Sequence, residues 1–297
     1  VWTMHDMWNL TGICHHAYEC TAYKEQCGNC QYLTGTHAND LSRAVWRRKK
    51  QFYESHPITF VAVSNWLAEK CRESSLLAGA DLRVIPNAFP VDNFITANTH
   101  RISSLNIDYS RRIILMGAAR LDDPIKGINY AIEALNYIFD NHPNVAATAQ
   151  IVFFGEINDK SILDRLRFPR NYIGRVNDWR LIRQLYAAAD VVLSTSLYET
   201  LPGPLIEGQA SGCLPVSFGR GGQSDIIDHL KNGYIAEYKN SESIAKGIMW
   251  ALAQKPDRNR LHEEVRERFS SSKVAEVYKH LFAELLERSA KQKSQES

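Results

Sequence analysis

The sequence SLYETLPGPLIEGQA, residues 196–210, lies between an apolar run at 190–194 and a second one at 212–216. The Pro and Gly residues in its middle predict a turn that joins a strand to a helix. Glu199 and Glu207 stand eight residues apart, so Glu199 is expected on a loop at the end of the strand and Glu207 near the start of the helix. Ligands bind at this edge in open α/β sheets. An ordinary connection that carries two solvated glutamates has the same pattern, so the rest of the chain must decide.

Strand and helix patterns alternate along the chain. Short apolar runs of strand length are separated by segments with helical periodicity. The helical segments lie at 65–77, where Ser64 can cap the helix, and at 126–142, 161–166, 179–188, 241–254 and 273–289. In 126–142 the apolar positions are Ile128, Ala131, Ile132, Leu135 and Ile138. The apolar runs lie at 58–64, 82–87, 112–117, 150–155, 172–174 and 214–218. This alternation favours parallel, doubly wound sheets and an α/β fold. The polar stretch 90–110 has no periodicity, so it is predicted to link two domains.

Length and composition narrow the class of protein. The chain has 297 residues, of which 44% are hydrophobic and 23% charged, with a net charge of +2. Single cores rarely grow beyond roughly 250–300 residues, so about two domains are expected. The small net charge does not favour a nucleic-acid partner. Neither a membrane-spanning apolar run nor a signal-peptide pattern is found, which predicts a cytoplasmic protein. The chain begins at Val1 in what reads as the end of a strand, so an amino-terminal part is expected to be missing.

Four of the six cysteines lie near the start of the chain, separated by five, six and two residues. Four thiolates can bind a tetrahedral zinc ion, and a closing Cys-x2-Cys is the usual local half of such a site. A structural zinc site is therefore predicted from Cys14, Cys20, Cys27 and Cys30. Two other interpretations stay open: two disulfides, which a reducing cytoplasm disfavours, or four unlinked thiols.

A basic helix is predicted over residues 40–53, with cations around aromatic residues. The residues concerned are Arg43, Arg47, Arg48, Lys49 and Lys50 around Trp46 and Phe52. Such a helix can lie on an anionic membrane surface. A helix face that is simply solvated is the alternative interpretation.

Two cations flank the turn that follows the strand at 112–117. Arg120 can make paired hydrogen bonds to phosphate oxygens, and Lys126 is expected where a helix N-terminus adds backbone N–H groups. A lysine at a helix start opposes the helix dipole, which favours an anion that compensates both. The pair therefore predicts a diphosphate cradle, with two ordinary surface cations as the alternative.

These blocks, taken together, resemble a known family. Gly117-x2-Arg120-Leu121-x4-Lys126-Gly127 is followed by Glu199-x7-Glu207-x4-Gly212-x2-Pro215-Val216, and 221–227, 232–234 and 85–87 also fit the pattern. The chain is thereby similar to family 4 (group 1) retaining glycosyltransferases. The resemblance implies the GT-B architecture, in which two Rossmann-like domains face each other. The opening segment 2–8 and the cysteine cluster resemble a bacterial subgroup that builds capsular, exopolysaccharide or O-antigen chains.

The resemblance also implies a division of the chain. Residues 1–95 correspond to a partial amino-terminal, acceptor-side domain that carries the cysteine cluster at 14–30. Residues 108–290 correspond to the donor-binding domain, and 291–297 to a frayed tail. The family's first strand and its glycine-rich acceptor-side loop are not in this sequence.

The family implies roles for five side chains. Arg120 and Lys126 would neutralise the donor's diphosphate as the glycosidic bond breaks. Glu207 would accept hydrogen bonds from the ribose hydroxyls, and Glu199 would hold the donor sugar. His5 matches the histidine of the amino-terminal domain that contacts the donor sugar, although a structural histidine at a strand end is the alternative.

The nucleotide and phosphates would also meet backbone groups. The backbone around Val176 would receive the base. The family often has Gly-Phe-Gly after the first glutamate, whereas residues 200–204 here read TLPGP. Prolines have no N–H to donate, so only Leu201, Gly203 and Leu205 could offer one. The preference for a donor sugar is therefore open.

The resemblance implies an enzyme that moves a sugar from a nucleotide-diphosphate donor to a saccharide or lipid-linked acceptor, with retention of anomeric configuration. No cofactor would be needed for catalysis, and the enzyme would act in cell-surface polysaccharide synthesis, with peripheral contact to the inner membrane face as an option. Two rival functions stay open. One is a sugar-nucleotide epimerase of the same fold, and the other is a non-catalytic nucleotide-sugar-binding protein.

Overall fold

The computed structural model describes residues 1–35, 37–94, 96, 102 and 105–295. It divides into two compact units, Val1–Asn87 and Ala88–Ser297. The division comes just before the predicted linker 90–110, part of which lies outside the described residues.

The first unit contains a sheet of three parallel strands in the order β1-β2-β3. One helix lies between β1 and β2 in the chain, and a second lies between β2 and β3. These elements are β1 (Trp2–Met4), α1 (Leu41–Ser55), β2 (Thr59–Ala62), α2 (Asn65–Glu73) and β3 (Asp81–Val84). Both helices begin at a side-chain cap. The Asp40 carboxylate accepts from the N–H of Arg43, and the Ser64 hydroxyl accepts from that of Leu67, which confirms the cap predicted at Ser64.

The second unit contains six parallel strands in the order β6-β5-β4-β7-β8-β9. They are β4 (Arg112–Arg120), β5 (Ala149–Glu156), β6 (Arg170–Tyr172), β7 (Val191–Ser194), β8 (Leu214–Phe218) and β9 (Tyr234–Ala236). The chain starts at β4 in the middle, fills one side of the sheet, and returns to β7 to fill the other side. This reversal opens a crevice at the carboxyl ends of β4 and β7.

Seven helices accompany this sheet in the described part of the second unit. They are α3 (Ile128–Asn141), α4 (Pro143–Thr148), α5 (Trp179–Ala188), α6 (Gly203–Ala210), α7 (Ser241–Ala253), α8 (Arg258–Phe269) and α9 (Ser271–Gln295). The sequence predicts α5 with these bounds but gives no helical pattern for α4 and α8. It predicts an end of α9 at Ser289, whereas the helix includes the predicted frayed tail as far as Gln295; residues 296 and 297 lie outside the described residues.

The core of the second unit lies where α3 packs on the sheet. The inward face of α3 consists of Ile128, Ala131, Ile132, Leu135 and Ile138, all of which are buried. These are the apolar positions that the sequence predicted. The start of the helix was predicted wrongly, because Lys126 ends a 3-10 turn at 124–126 and the helix begins only at Ile128.

Gly127 separates the turn from the helix and has a left-handed backbone conformation, with φ of 62°. A Cβ atom added to it would lie 2.3 Å from the carbonyl oxygen of Thr195, just beyond β7. Only glycine therefore allows the β4 loop to approach the β7 loop this closely.

We predict that Gly127→Ala destabilises the second unit more than Gly174→Ala does. Both glycines have positive φ, but a Cβ added to Gly174 would meet no atom within 4 Å. Gly174→Ala should lower the free energy of unfolding by about 1–2 kcal/mol, and Gly127→Ala by about 1–3 kcal/mol more, because a backbone contact must shift. Urea unfolding followed by circular dichroism measures both, and equal losses would show that the close approach to Thr195 is not a constraint.

Candidate functional site

The loops that follow β4 and β7 are tied together by hydrogen bonds. The hydroxyl of Thr195 lies 3.0 Å from the carbonyl oxygen of Lys126 and 2.9 Å from that of Gly127. The N–H of Leu197 donates to the carbonyl of Ile125 at 2.8 Å. Thr195 is fully buried, so these bonds are shielded from water. They hold both loops at the crevice between the two central strands.

Lys126 and Glu199 meet at this junction. The Lys126 Nζ atom lies 2.7 Å from Glu199 Oε1, and the two side chains are 31% and 19% exposed. Their charges therefore remain within reach of solvent and of a ligand. The structure brings together two predicted site residues that are 73 positions apart in the sequence.

A third loop, after β8, fixes the backbone of Glu199. The N–H of Gly222 donates to the Glu199 carbonyl at 2.9 Å. A Cβ atom on Gly222 would lie 1.9 Å from the carbonyl oxygen of Thr200, so a larger residue cannot sit there without moving this loop. The carboxyl ends of β4, β7 and β8 thus contribute to one site.

Arg120 is the last residue of β4, and its side chain is 48% exposed. Its guanidinium lies 3.5 Å from a carboxylate oxygen of Asp122 and 3.4 Å from one of Asp123. Both contacts are longer than an ideal hydrogen bond and the guanidinium is half exposed, so water weakens these ion pairs and the guanidinium can be drawn to a stronger anion. The ion pairs of Arg120 are thus separate from the Lys126–Glu199 pair.

Glu207 lies inside α6, where a buried tyrosine contacts it. The Tyr186 side chain is 1% exposed, packs edge-on against Phe154 and hydrogen-bonds to the Glu207 carboxyl group. Burial raises the pKa of Glu207 above its ordinary value, and the hydrogen bond from Tyr186 opposes that rise. Burial, followed by the Glu207 charge, raises the pKa of Tyr186 well above its ordinary value.

No sequence pattern marks Tyr186 as a site residue. The tyrosine lies among apolar residues near the end of α5 and reads as an ordinary core position. Only the packing of α5 and α6 in the fold reveals that its hydroxyl orients a carboxylate at the candidate site.

The positions predicted to meet the nucleotide fall in two places. Val176 is half-buried in the loop after β6, whereas Leu201, Gly203 and Leu205 lie at and beside the start of α6. Gly203 is the first residue of that helix. The N–H of Leu205 already donates to the Pro202 carbonyl at 3.2 Å, and its side chain is fully buried. In this conformation the Leu205 N–H thus has a main-chain partner, and its assignment to a ligand stays a prediction.

Comparison with known proteins identifies the family. The sequence profile of the glycosyl transferases group 1 family matches residues 102–268, which is more than half of the chain. The chain belongs to this family. It is 27% identical over 290 residues to an uncharacterized glycosyltransferase of Methanocaldococcus jannaschii, and the match covers 91% of this chain and 71% of that protein.

Solved structures of glycosyltransferases share the fold. A glycosyltransferase from Rickettsia africae has a TM-score of 0.68 and 22% identity, with 80% of this chain and 67% of that chain covered. Anabaena HepE, crystallised in complex with UDP-glucose, has a TM-score of 0.63 and 17% identity, with 81% and 68% covered. The prediction of an α/β, GT-B fold is confirmed, and so is that of a group 1 glycosyltransferase.

His5 lies in the first unit of this glycosyltransferase, directly after β1, and is exposed. The other four side chains that the family implies for catalysis and ribose binding, at positions 120, 126, 199 and 207, belong to the second unit. The role assigned to His5 stays a prediction.

The four clustered cysteines of the glycosyltransferase line one cavity of about 410 Å³ in the first unit, and all are free thiols. Burial, together with the neighbouring Cys30, Cys27 and Cys20, raises the pKa of Cys14 to about 11. Within residues 1–35, 37–94, 96, 102 and 105–295, no three His, Cys, Asp or Glu side chains already converge as metal ligands would. The structure thus brings the four thiols together without placing them around one point.

Fewer of the basic residues of α1 are exposed than the sequence predicts. Arg47 and Arg48 are exposed, but Lys49 is buried and its ammonium group donates to main-chain carbonyls inside the first unit. In the described part of the chain, every helix is too short or too polar to cross a membrane.

We predict that replacing Glu207 changes how stability depends on pH. Because its pKa is raised from 4.5, the folded chain keeps a proton that the unfolded chain releases, and the free energy of unfolding falls as pH rises above 4.5. Glu207→Gln lacks this effect, so its stability relative to the unsubstituted protein should improve from pH 4.5 towards about pH 7.

Urea unfolding at the two pH values measures the difference. Glu242→Gln is the matched control, since Glu242 is exposed on α7 and paired only at the surface with Lys246. For each variant, the difference in free energy of unfolding from the unsubstituted protein is compared at the two pH values. If this difference changes no more with pH for Glu207→Gln than for Glu242→Gln, the raised pKa of Glu207 is contradicted.

Proposed function

We propose that this glycosyltransferase transfers a sugar from a nucleoside-diphosphate donor to an acceptor hydroxyl, with retention of the anomeric configuration. The observation that carries the proposal is the Lys126–Glu199 pair at the carboxyl ends of β4 and β7. That position is where ligands bind in a parallel sheet of this strand order. The complex of Anabaena HepE with UDP-glucose supports the same class of donor.

The cations at the end of β4 would bind the diphosphate. The hydroxyl of Thr195 holds the backbone of Lys126 beside the crevice. The ion pair with Glu199 then places the ammonium group of Lys126 there. Arg120, whose own side chain is about half exposed, can swing from its aspartate partners to add paired hydrogen bonds. As the glycosidic bond breaks, negative charge grows on the leaving phosphate, and these two cations stabilise it.

Glu199 would act on the sugar. A diphosphate that draws Lys126 towards itself releases the carboxylate, which can then accept hydrogen bonds from sugar hydroxyls. The same charge would balance the positive charge that develops at the anomeric carbon. The Gly222 contact keeps the Glu199 backbone fixed while its side chain changes partner.

Glu207 would bind the ribose. Its carboxyl group is oriented by Tyr186, so little rotamer freedom is lost when two ribose hydroxyls donate to it. The loop that contains Val176 would receive the base, and the N–H groups of Leu201 and Gly203 lie at the start of α6 for the phosphates.

Retention would follow from substitution on one face of the sugar. The acceptor oxygen forms a bond to the anomeric carbon while the bond from that carbon to the donor phosphate breaks. The leaving phosphate takes the acceptor's proton, so no covalent enzyme intermediate is required. The residues at the end of β4 and the start of α6 would supply charge and orientation, and the assignment of His5 to the donor sugar stays a prediction.

The acceptor and the cellular process can also be proposed. We infer a family 4 enzyme that acts in the cytoplasm on a saccharide or a lipid-linked glycan and serves capsular, exopolysaccharide or O-antigen synthesis. The support is the resemblance of segment 2–8 and the cysteine cluster to that bacterial subgroup. Exposed arginines on α1, among them Arg47 and Arg48, could add peripheral contact with an anionic membrane.

A donor screen tests the proposal. The protein is incubated with UDP-, GDP- and ADP-sugars, first alone for thermal shift and then with a pool of saccharide and lipid-linked acceptors. We expect one class of donor to raise the melting temperature and to release nucleoside diphosphate only when an acceptor is present. Epimerised sugar without acceptor would instead identify an epimerase, and binding without release from any pool would identify a non-catalytic binding protein.

We predict that Arg120→Ala lowers kcat about 10- to 100-fold and changes KM for the donor less, because the charge that it faces peaks in the transition state. Steady-state kinetics with the donor found in the screen measure both constants. Arg167→Ala is the matched control. That arginine pairs with Asp140 on the surface, just before the edge strand β6. Unchanged turnover in Arg120→Ala would refute its role at the phosphates.

A further inference from the structure

The segment between β1 and α1 is long and has little regular structure. Its described part contains only two 3-10 turns of three residues each, at 8–10 and 22–24. The four thiols of this segment line one cavity.

The two thiols at the end of the cluster are held by a turn of defined geometry. Gly28 has φ of 146° and Asn29 has φ of 48°. A Cβ atom on Gly28 would lie 2.6 Å from the carbonyl oxygen of Ala38. The N–H of Cys30 donates to the Asp40 carboxylate at 2.7 Å. The turn that carries Cys27 and Cys30 is therefore fixed to the start of α1.

A buried cation strengthens a hydrogen bond to one of these sulfur atoms. Lys49 lies over the ring of Trp8, 3.5 Å from its centroid. Its ammonium group donates to the carbonyl of Thr11 at 3.0 Å, and the N–H of that same peptide unit, on Gly12, donates to Cys27 Sγ at 3.2 Å. The positive charge polarises the peptide, which makes its N–H a better donor to a thiolate. Such outer contacts are typical of metal–thiolate centres.

We propose that Cys14, Cys20, Cys27 and Cys30 bind one divalent, thiophilic ion of the zinc class, and that this ion orders the segment between β1 and α1. Four sulfur ligands select such an ion over magnesium or calcium. Zinc–sulfur bonds of about 2.3 Å would bring the sulfur atoms about 3.8 Å apart. The thiols lie on the cavity wall, so binding draws them inward.

Charge is conserved when the ion binds, because the thiols release protons. One divalent cation displaces four thiol protons and leaves a centre with a net charge of −2. Lys49 is a cation beside this centre. Its contacts with main-chain carbonyls hold the ammonium group on the Cys27 side of the cavity. The site lies within the first unit and does not depend on the proposed transfer reaction.

Metal analysis of the intact chain, purified with a thiol reductant and without added metal, tests this inference. We expect about one equivalent of zinc per chain, and a melting temperature that falls when a strong chelator is added. Cobalt(II) in place of zinc should give the sulfur-to-metal charge-transfer absorption of a thiolate site. These measurements need no variant, so they hold even if cysteine replacements do not fold.

Variants locate the ion. Cys14→Ser and Cys30→Ser should lose it, whereas Cys71→Ala should retain it, because Cys71 is a buried thiol of α2 in the same unit and does not line the cavity. Less than about one-tenth of an equivalent of zinc would overturn the proposal. Iron with acid-labile sulfide, or only two reactive thiols in the unreduced, denatured chain, would do so too, since they indicate an iron–sulfur cluster or two disulfides.

Discussion

The buried hydroxyl of Thr195, within hydrogen-bond distance of two carbonyls of the β4 loop, is the contact on which the site depends. Parallel strands end at the same edge of a sheet, but that alone leaves their loops free to diverge. Thr195 holds the β4 loop against the β7 loop, and the left-handed Gly127 makes room for its backbone. Lys126 and Glu199 can form a pair only because these two loops meet. The proposed diphosphate-binding role therefore depends on a backbone contact as much as on the charged residues themselves.

The two glutamates that mark the sequence have different physical environments. Glu199 lies in a partly exposed ion pair, whose strength is modest in water and whose partner can be exchanged for a ligand phosphate. Glu207 is half-buried beside Tyr186, which hydrogen-bonds to it, and burial raises its pKa. A carboxylate whose partner is exchangeable suits the reacting sugar, whereas a carboxylate held in place suits the ribose, which does not react. The environment separates the two roles more clearly than the spacing of eight residues could.

Local patterns predicted much of this architecture. The alternation of apolar runs and helical segments predicted the α/β class, and α5 has the bounds expected from its periodicity. What local patterns missed depends on contacts between distant residues. Gly127 meets Thr195 only when the β4 and β7 loops come together, and Tyr186 reaches Glu207 only when α5 packs beside α6. Lys49 was read as part of a basic face, although carbonyls and an aromatic ring draw its charge inside. The polar helix α8 was missed because only Leu261, Val265 and Phe269 mark its buried side.

The most direct test of the central claim compares diphosphate binding with sugar transfer in Glu199→Gln. The account holds that Lys126 is shared between Glu199 and the donor phosphate, so removing the carboxylate charge should leave the ammonium free for phosphate. Calorimetry with UDP, GDP or ADP, whichever base the protein binds, should then give a Kd for Glu199→Gln equal to or lower than that of the unsubstituted protein. Transfer should fall by about 100-fold or more, since the charge beside the anomeric carbon is gone. A variant that loses diphosphate binding along with transfer, or that keeps both, would contradict the account.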